Sequence, residues 1–244
     1  MFILLNGQIL KADKARLHSF TPGILKARGV FETMRVDRRE IFDFKDHLKR
    51  MRKGLNFFHL KMPYSARRWI DHIQELLGLN NLKEARVRLM VWRGKNTTQS
   101  AVICQAMKKQ KKRWKVIIQK VKGLEQRPSG IKSLDYSLFR KNLLKAREKG
   151  YDETILVNES GYLAEGTRSN LFFVKDKILY TPSLQCGCLR GITRQHVLQS
   201  AKKLGMICKE IKAAPDRLLS ADEAFVTNSI VGIMPLVRAG KVKI

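Results

Sequence analysis

The chain has 244 residues, 44% hydrophobic and 29% charged, and its 49 Lys+Arg against 21 Asp+Glu leave a formal net charge of +28 at pH 7. That balance is globular, not disordered, and the length holds one large domain or two smaller ones. No apolar run nears the ~18–20 residues of a membrane span, which excludes an integral membrane protein. The opening MFILLNG has no basic segment and too short an apolar stretch for a signal peptide, and four cysteines (Cys104, Cys186, Cys188, Cys208) without a secretory signal fit a reduced cytoplasm. The reading is a soluble intracellular protein whose charge favours anionic partners: nucleic acid, acidic lipid, or phosphorylated and carboxylated small molecules.

In chain order, residues 1–10 read as strand–turn–strand about Asn6-Gly7. Val30, Phe31 and Met34-Arg35-Val36 predict a strand that Asp37-Arg38-Arg39 turns back to Ile41-Phe42. Phe44, Leu48, Met51, Leu55 and Phe58 fall at helical spacing with Asp46 near the start; Ala66, Ile70, Ile73 and Leu77 mark a second helix stopped by Gly78. Val87, Leu89 and Val91 alternate as a strand. The densest basic run, Lys108–Lys115, reads either as a phosphate-backbone patch with Trp114 as a stacking platform or as the solvated tip of a hairpin between Ala101–Cys104 and Val116–Ile118. No nucleic-acid module motif accompanies the run, which favours the hairpin tip.

Residues 121–131 (VKGLEQRPSGI) break the periodicity and read as an interdomain linker. A helix ending at Gly150 follows, then strand Thr154–Asn158, a Glu159-Ser160-Gly161 turn, strand Leu171–Lys175, and an Asp176-Lys177 turn into Ile178–Tyr180. Val197, Leu198, Ala201 and Leu204 give a helical face closed by Gly205, and Ala224–Thr227 gives a further strand. Hairpins mixed with helices that do not alternate strictly favour two α+β lobes over a doubly wound sheet.

The five histidines (His18, His47, His59, His72, His196) have no cysteine or histidine neighbour at zinc-ligand spacing, and Cys186-Gly187-Cys188 is too tight for a structural zinc site. There is no G-x-S-x-G, no P-loop and no G-x-G-x-x-G after a strand. Four segments carry other chemistry. Lys132, in Ile131-Lys132-Ser133-Leu134-Asp135-Tyr136, is flanked by apolar residues and could form a Schiff base if desolvated in a cleft, though most lysines are surface groups. Glu165, in Leu163-Ala164-Glu165-Gly166-Thr167-Arg168-Ser169-Asn170, follows a strand and could point into a cleft or be a solvated loop acid. Leu189-Arg190-Gly191-Ile192-Thr193-Arg194 opens a helix whose first N–H groups suit a phosphate, with Thr193 also able to act as N-cap. Phe225-Val226-Thr227-Asn228-Ser229 ends a strand with three small polar side chains able to bond an oxyanion.

The order of these four segments resembles the class-IV aminotransferase family, the fold-type-IV pyridoxal-phosphate enzymes, which include branched-chain and D-amino-acid aminotransferases and 4-amino-4-deoxychorismate lyase. Gly150-Tyr151-Asp152-Glu153, Tyr180-Thr181-Pro182, Gly29-Val30-Phe31-Glu32-Thr33-Met34-Arg35 and Asp46-His47-Leu48-Lys49-Arg50-Met51 add to it, so that it covers nearly the whole chain. The resemblance implies an α+β, two-lobed fold: a small N-terminal lobe over residues 1–120, a linker over 121–131, and a larger pyridoxal-phosphate-binding lobe over 132–244 whose C-terminal end is short for the family, with the cofactor where the lobes meet. By the same resemblance Lys132 is the Schiff-base lysine and proton shuttle, Glu165 faces the pyridine nitrogen, and Tyr136 bonds the ring's phenolic oxygen. Arg50, the backbone at Ile192 and Thr193, and Ser229 take the phosphate, while Phe31 and Arg35 line the substrate pocket.

After Val91-Trp92-Arg93-Gly94 the chain lacks both the Arg-x-His trap of D-amino-acid enzymes and the Gly-Met-Gly-Val turn of branched-chain ones, and Thr33-Met34-Arg35 is closer to the Thr-x-Arg of aminodeoxychorismate lyases. The expectation is a cytoplasmic, homodimeric aminotransferase acting on an α-amino acid of branched-chain type and a 2-oxo acid. The lyase is the alternative, and a basic nucleic-acid-binding protein the remote one.

Overall fold

The computed structural model describes residues 1–14, 27–127 and 130–244; His18, and Pro128 and Ser129 of the predicted linker, lie outside them. The chain divides into two compact units, Met1–Lys109 with Ile131–Ser137, and Gln110–Gly130 with Leu138–Ile244.

In the first unit, strands β1 (Phe2–Leu5) and β2 (Gln8–Lys11) are joined by Asn6-Gly7, both at positive φ as a tight hairpin requires. Strand β3 (Gly29–Asp37) turns through Arg38-Arg39, also at positive φ, into β4 (Glu40–Ile41). Helices α1 (Phe44–Phe57) and α2 (Ala66–Leu79) follow, then β5 (Ala85–Arg93) and β6 (Thr98–Ala106). The strands form one antiparallel sheet in the order β2-β1-β6-β5-β3-β4. Alternation sorts the two faces: Val30, Met34, Val36, Val87, Leu89 and Val91 join Leu48, Met51 and Leu55 of α1 and Trp69, Ile73, Leu76 and Leu77 of α2 in one core. Phe31, Met90, Ala101 and Ile103 look the other way, against Leu134. Gly78 does not stop α2; it lies inside the last turn. Asn80 ends the helix, donating its N–H and side-chain amide to Leu76 O while exchanging two bonds with the backbone of Phe2.

The second unit holds β7 (Trp114–Lys120), α3 (Ser137–Glu148), β8 (Glu153–Val157), β9 (Leu163–Gly166), β10 (Asn170–Lys175) and β11 (Ile178–Pro182). It continues through α4 (Ile192–Lys203), β12 (Cys208–Ile211), α5 (Pro215–Leu219), β13 (Glu223–Asn228), β14 (Gly232–Ala239) and β15 (Val242–Lys243). The strand order is β12-β11-β10-β13-β14-β7-β8-β9, and a further pairing of β9 with β10 closes six of these strands into a ring. Inside the ring lie Trp114, Val116, Ile155, Leu171, Phe173, Val226 and Leu236. Outside it, Phe172 and Leu179 pack with Ala201 of α4.

The predicted basic hairpin does not exist. Strand β6 pairs with β5 and β1 in the first sheet, whereas β7 pairs with β14 and β8 in the second. Lys108–Arg113 is therefore the connection between units, and Trp114, 3% exposed, is a core residue under the Arg168 guanidinium and no stacking platform. Alternation in two apolar strands cannot say which partner each takes. The unit boundaries differ from the predicted lobes for the same reason: Trp114–Lys120 belongs to the second unit, and Ile131–Ser137 returns to the first. On α4 the buried residues are Ile192, Arg194 and Ala201, and Leu204 is 77% exposed beyond the helix end.

Among the described residues no helix is long and apolar enough to cross a membrane. The four cysteines are free thiols, and burial pushes that of Cys104 up to about 12. Trp69 is fully buried, edge-on to Tyr64 with its indole N–H directed at Met62 Sδ. Trp69→Ala is expected to cost about 3–5 kcal/mol, read as a lowered urea midpoint.

Candidate active site

Lys132 lies on the returning segment, which lines up along the start of β3. Phe31 N donates to Lys132 O at 3.0 Å, Leu134 N donates to Gly29 O at 2.9 Å, and Ser133 forms a bridge with Val30. The Lys132 ammonium stands 4.7 Å from the centre of the Phe31 ring, the Arg88 guanidinium 5.3 Å from it, and Tyr136 meets its edge at 5.5 Å. Arg88 reaches this platform because it lies opposite Thr33 on the neighbouring strand. Burial pulls its guanidinium down to about 9, with Arg86 adding repulsion and Tyr136 opposing both. Phe31, 3% exposed, is thus the floor under Lys132.

Arg35 is not brought into this group. It lies four residues along β3 from Phe31, ~13 Å at strand rise, beside Arg86, and pairs with Asp37 at 3.2 Å. Arg50, on α1, works on the opposite face of β3. Its Nε and Nη2 donate to the two oxygens of Glu32 at 2.8 and 2.6 Å, and His47 Nδ1 contacts the same carboxylate at 2.7 Å. Burial of Glu32 alone would raise its pKa; the charge and hydrogen bonds of Arg50, helped by His47, outweigh it and hold the carboxyl at about 2. The fork fixes the Arg50 guanidinium at one edge.

In the second unit Glu165 lies within β9, not in a loop after a strand. Between the pairs Ile155↔Gly166 and Val157↔Leu163, β9 carries one residue more than β8. This bulge re-aims the side chain: Leu163 points into the ring, and Glu165, which would follow it in a regular strand, points out. There it lies opposite Asn170 of β10, and its Oε2 accepts the Leu189 N–H at 2.9 Å. Asn170 Nδ2 donates to Leu189 O at 2.8 Å. Gly191 is the N-cap of α4, displacing Thr193, and no side chain caps the first turn. A Cβ on Gly191 would sit 1.9 Å from Asn170 Oδ1, so glycine alone fits against the amide. Ser229 follows Asn228, whose Oδ1 accepts the N–H groups of Ile230 and Val231 at 2.9 and 3.0 Å and so shapes the turn.

The turn after the bulge is held by Glu153, fully buried. Its carboxylate accepts bonds from the backbone of Thr154 and Thr167 and from the hydroxyls of Thr167 and Ser169, with Arg168 Nε at 3.4 Å. The Gly-Thr-Arg-Ser run thus keeps a buried acid satisfied at the foot of Glu165.

The family model for amino-transferase class IV matches residues 29–239. The chain belongs to the class IV aminotransferase family. The aminodeoxychorismate lyase of Bacillus subtilis (strain 168) is 33% identical, with 98% of this chain and 87% of that protein covered. The branched-chain aminotransferase of Thermoproteus uzoniensis, solved with norvaline, superposes with a TM-score of 0.88 at 25% identity over 100% of this chain and 89% of the other. The T.th. branched-chain amino acid aminotransferase, solved in complex with N-(5'-phosphopyridoxyl)-L-glutamate, gives 0.85 at 25% identity over 100% and 86%. The two-lobed, fold-type-IV α+β architecture expected from the motifs is the one found.

Of the sequence-derived residues, Lys132, Tyr136 and Phe31 share one cluster in the first unit, with Arg50 across β3 and Arg35 farther along it. Glu165 and the Ile192-Thr193 turn come together in the second unit around Asn170. Arg88 and Asn170 were missed as site residues. The arginines alternating with Val87 and Leu89 were the available signal, since a strand face of Arg86 and Arg88 needs anionic or aromatic company.

Gly191→Ala is expected to destabilise the protein by about 1–3 kcal/mol through overpacking, with a smaller penalty in an Asn170→Ala background, as a double-mutant cycle would show. The Glu32 carboxyl falls from its ordinary 4.5 to about 2, so its contribution is present above pH 4.5 and lost as pH falls towards 2. Glu32→Gln is therefore expected to be less stable than wild type at neutral pH, with a gap that narrows by about 3 kcal/mol across that window in denaturant titrations.

Proposed function

We propose that the protein is a pyridoxal-phosphate-dependent aminotransferase that moves the amino group between an α-amino acid of branched-chain type and a 2-oxo acid, as a cytoplasmic homodimer. The observation that carries the reading is the gathering of the Lys132 amine, the Arg88 guanidinium and the Tyr136 ring about the Phe31 ring, in a chain of this family. The residues fit the cofactor: an amine, a bulge-oriented carboxylate, a guanidinium fixed by a buried acid, and a helix start with no side-chain cap. A buried Thr227 hydroxyl near that helix start finds no partner among the described residues.

Pyridoxal phosphate, when bound, supplies an electron sink for a carbanion at the substrate Cα. Lys132 would hold it, and its amine would serve as the general base and acid for the proton at the substrate Cα. Glu165, whose Oε2 accepts the Leu189 N–H, would hold a proton on the pyridine nitrogen, and the Tyr136 hydroxyl would bond the phenolic oxygen. Arg50, the N–H groups of Ile192 and Thr193, and Ser229 would hold the phosphate. Arg88, on the same Phe31 ring as Lys132, would take the substrate carboxylate in the pocket that the motifs lined with Arg35, and Phe31 would exclude water beneath Lys132.

A second reading, aminodeoxychorismate lyase, draws support from the 33% identical relative and from Thr33, which stands opposite Arg88 on the Lys132 face. Release of pyruvate and 4-aminobenzoate from aminodeoxychorismate, with no amino transfer from branched-chain amino acids to a 2-oxo acid, would establish it over the aminotransferase. For either activity, Lys132→Ala is expected to lack the yellow absorption band of the cofactor-loaded protein and to lose about 10²–10⁴-fold in turnover, the range of a missing general base. Full turnover by that variant would sink the proposal.

A further inference from the structure

Thr227 is 1% exposed, and its Oγ1 is a buried hydroxyl with no hydrogen-bond partner among the described residues. Such a group costs stability unless something fills the vacant bond. Its direction follows from register. Thr227 lies directly opposite Asn170, and Asn170 directly opposite Glu165, so the three side chains share one face across β13, β10 and β9. The neighbouring residues agree: Ala224, Val226 and Leu171 line the ring interior, while Phe172 and Phe225 stack on the α4 side. On that outer face Asn170 touches Gly191, the residue that opens α4. The Thr227 hydroxyl therefore faces the start of a twelve-residue helix whose first turn no side chain caps.

We propose that Thr227 is a phosphate-binding residue, its hydroxyl donating to the anion held by the first turn of α4. The inference rests on the reading of the protein as a pyridoxal-phosphate enzyme and singles out Thr227 from the three small polar side chains at this strand end, where the motifs assigned only Ser229. Two independent features converge on the same ligand: uncapped N–H groups with the positive end of the helix dipole, and a hydroxyl left unpaired beside them. Neither a packed core nor a capped helix needs a threonine there; valine has the same shape without the desolvation cost.

The test compares Thr227→Val and Thr227→Ser with wild type, using absorbance titrations of the cofactor-free protein with pyridoxal phosphate and with pyridoxal, and thermal unfolding without ligand. Thr227→Val is expected to raise the unligated unfolding midpoint, because an unpaired buried hydroxyl is gone, yet to weaken pyridoxal phosphate about tenfold or more. Its affinity for pyridoxal, which lacks the phosphate, is expected to be unchanged, and Thr227→Ser is expected to bind pyridoxal phosphate as wild type does. Unchanged affinity of Thr227→Val for pyridoxal phosphate overturns the proposal, as does an equal loss for both ligands or a lowered unligated midpoint. Failure of the wild-type protein itself to bind pyridoxal phosphate would instead overturn the functional reading beneath it.

Discussion

The second unit depends on one pairing, Glu165 against Asn170, which closes its ring of strands. Had β9 run regularly, Glu165 would follow Leu163 into an apolar interior, where an ionised carboxylate without partners is prohibitively costly. The extra residue of the bulge turns it outward, and three neighbours make that turn possible. Gly166 leaves room where a Cβ would sit 2.2 Å from Ser169 Oγ, while Thr167 and Ser169 satisfy the buried Glu153. Asn170 then holds both ends of the arrangement: its partner across the strand is the acid, and its amide holds Leu189 and fits only against a glycine at 191. The direction of a buried carboxylate and the position of a helix start are thus set by one closure.

Strand β3 does comparable work in the first unit by using both of its faces. Even-numbered residues from Val30 to Val36 face the helices, and among them Glu32 is the one acid, held ionised by Arg50 and His47. The fork is a buried ion pair, which adds little net stability but has a high cost if broken. Its value is geometric, since an arginine whose Nε edge is taken keeps a fixed plane. Odd-numbered residues build the other face, where Phe31 lies under Lys132 and Thr33 stands opposite Arg88. A one-residue slip of β3 would exchange the two sets and bury Arg35 among the helices, so the register itself is under strong physical constraint.

Local patterns made much of this legible. Asn6-Gly7 and Arg38-Arg39 are turns because short loops with positive φ admit few residues, and the helices followed from Leu48, Met51 and Leu55 or Ile73 and Leu77 at helical spacing. The motifs also grouped Lys132 with Tyr136 and Glu165 with the Ile192 turn. What escaped was non-local. The partners of β6 and β7 are chosen by tertiary packing, so equal alternation suggested a hairpin where the chain crosses between units. Strand β14, which the sequence reading did not include, accommodates Pro235 at an exposed position opposite Phe225. Arg35 belongs to the motif, but the register with β5 brings Arg88, not Arg35, to the Phe31 ring that Lys132 also meets.

The charge of +28 acquires a different meaning once its few acids are located. Glu32, Glu153 and Glu165 are buried, and Asp37, Asp152 and Asp222 are taken up by Arg35, Lys111 and Lys175. Glu32 and Glu153 also have basic partners, Arg50 and Arg168, so these pairs are neutral in place and the excess of +28 belongs to the Lys and Arg residues outside them. Exposed ion pairs of this kind add little stability. Their consequence is the field they leave: long-range attraction for any anion, screened over about 8–10 Å at physiological salt. A ligand bearing a phosphate, and substrates bearing carboxylates, approach such a surface faster than neutral molecules do. The buried groups differ from that field in kind, since an uncapped helix start, a forked guanidinium and a re-aimed carboxylate each have a fixed direction, which diffuse positive charge does not.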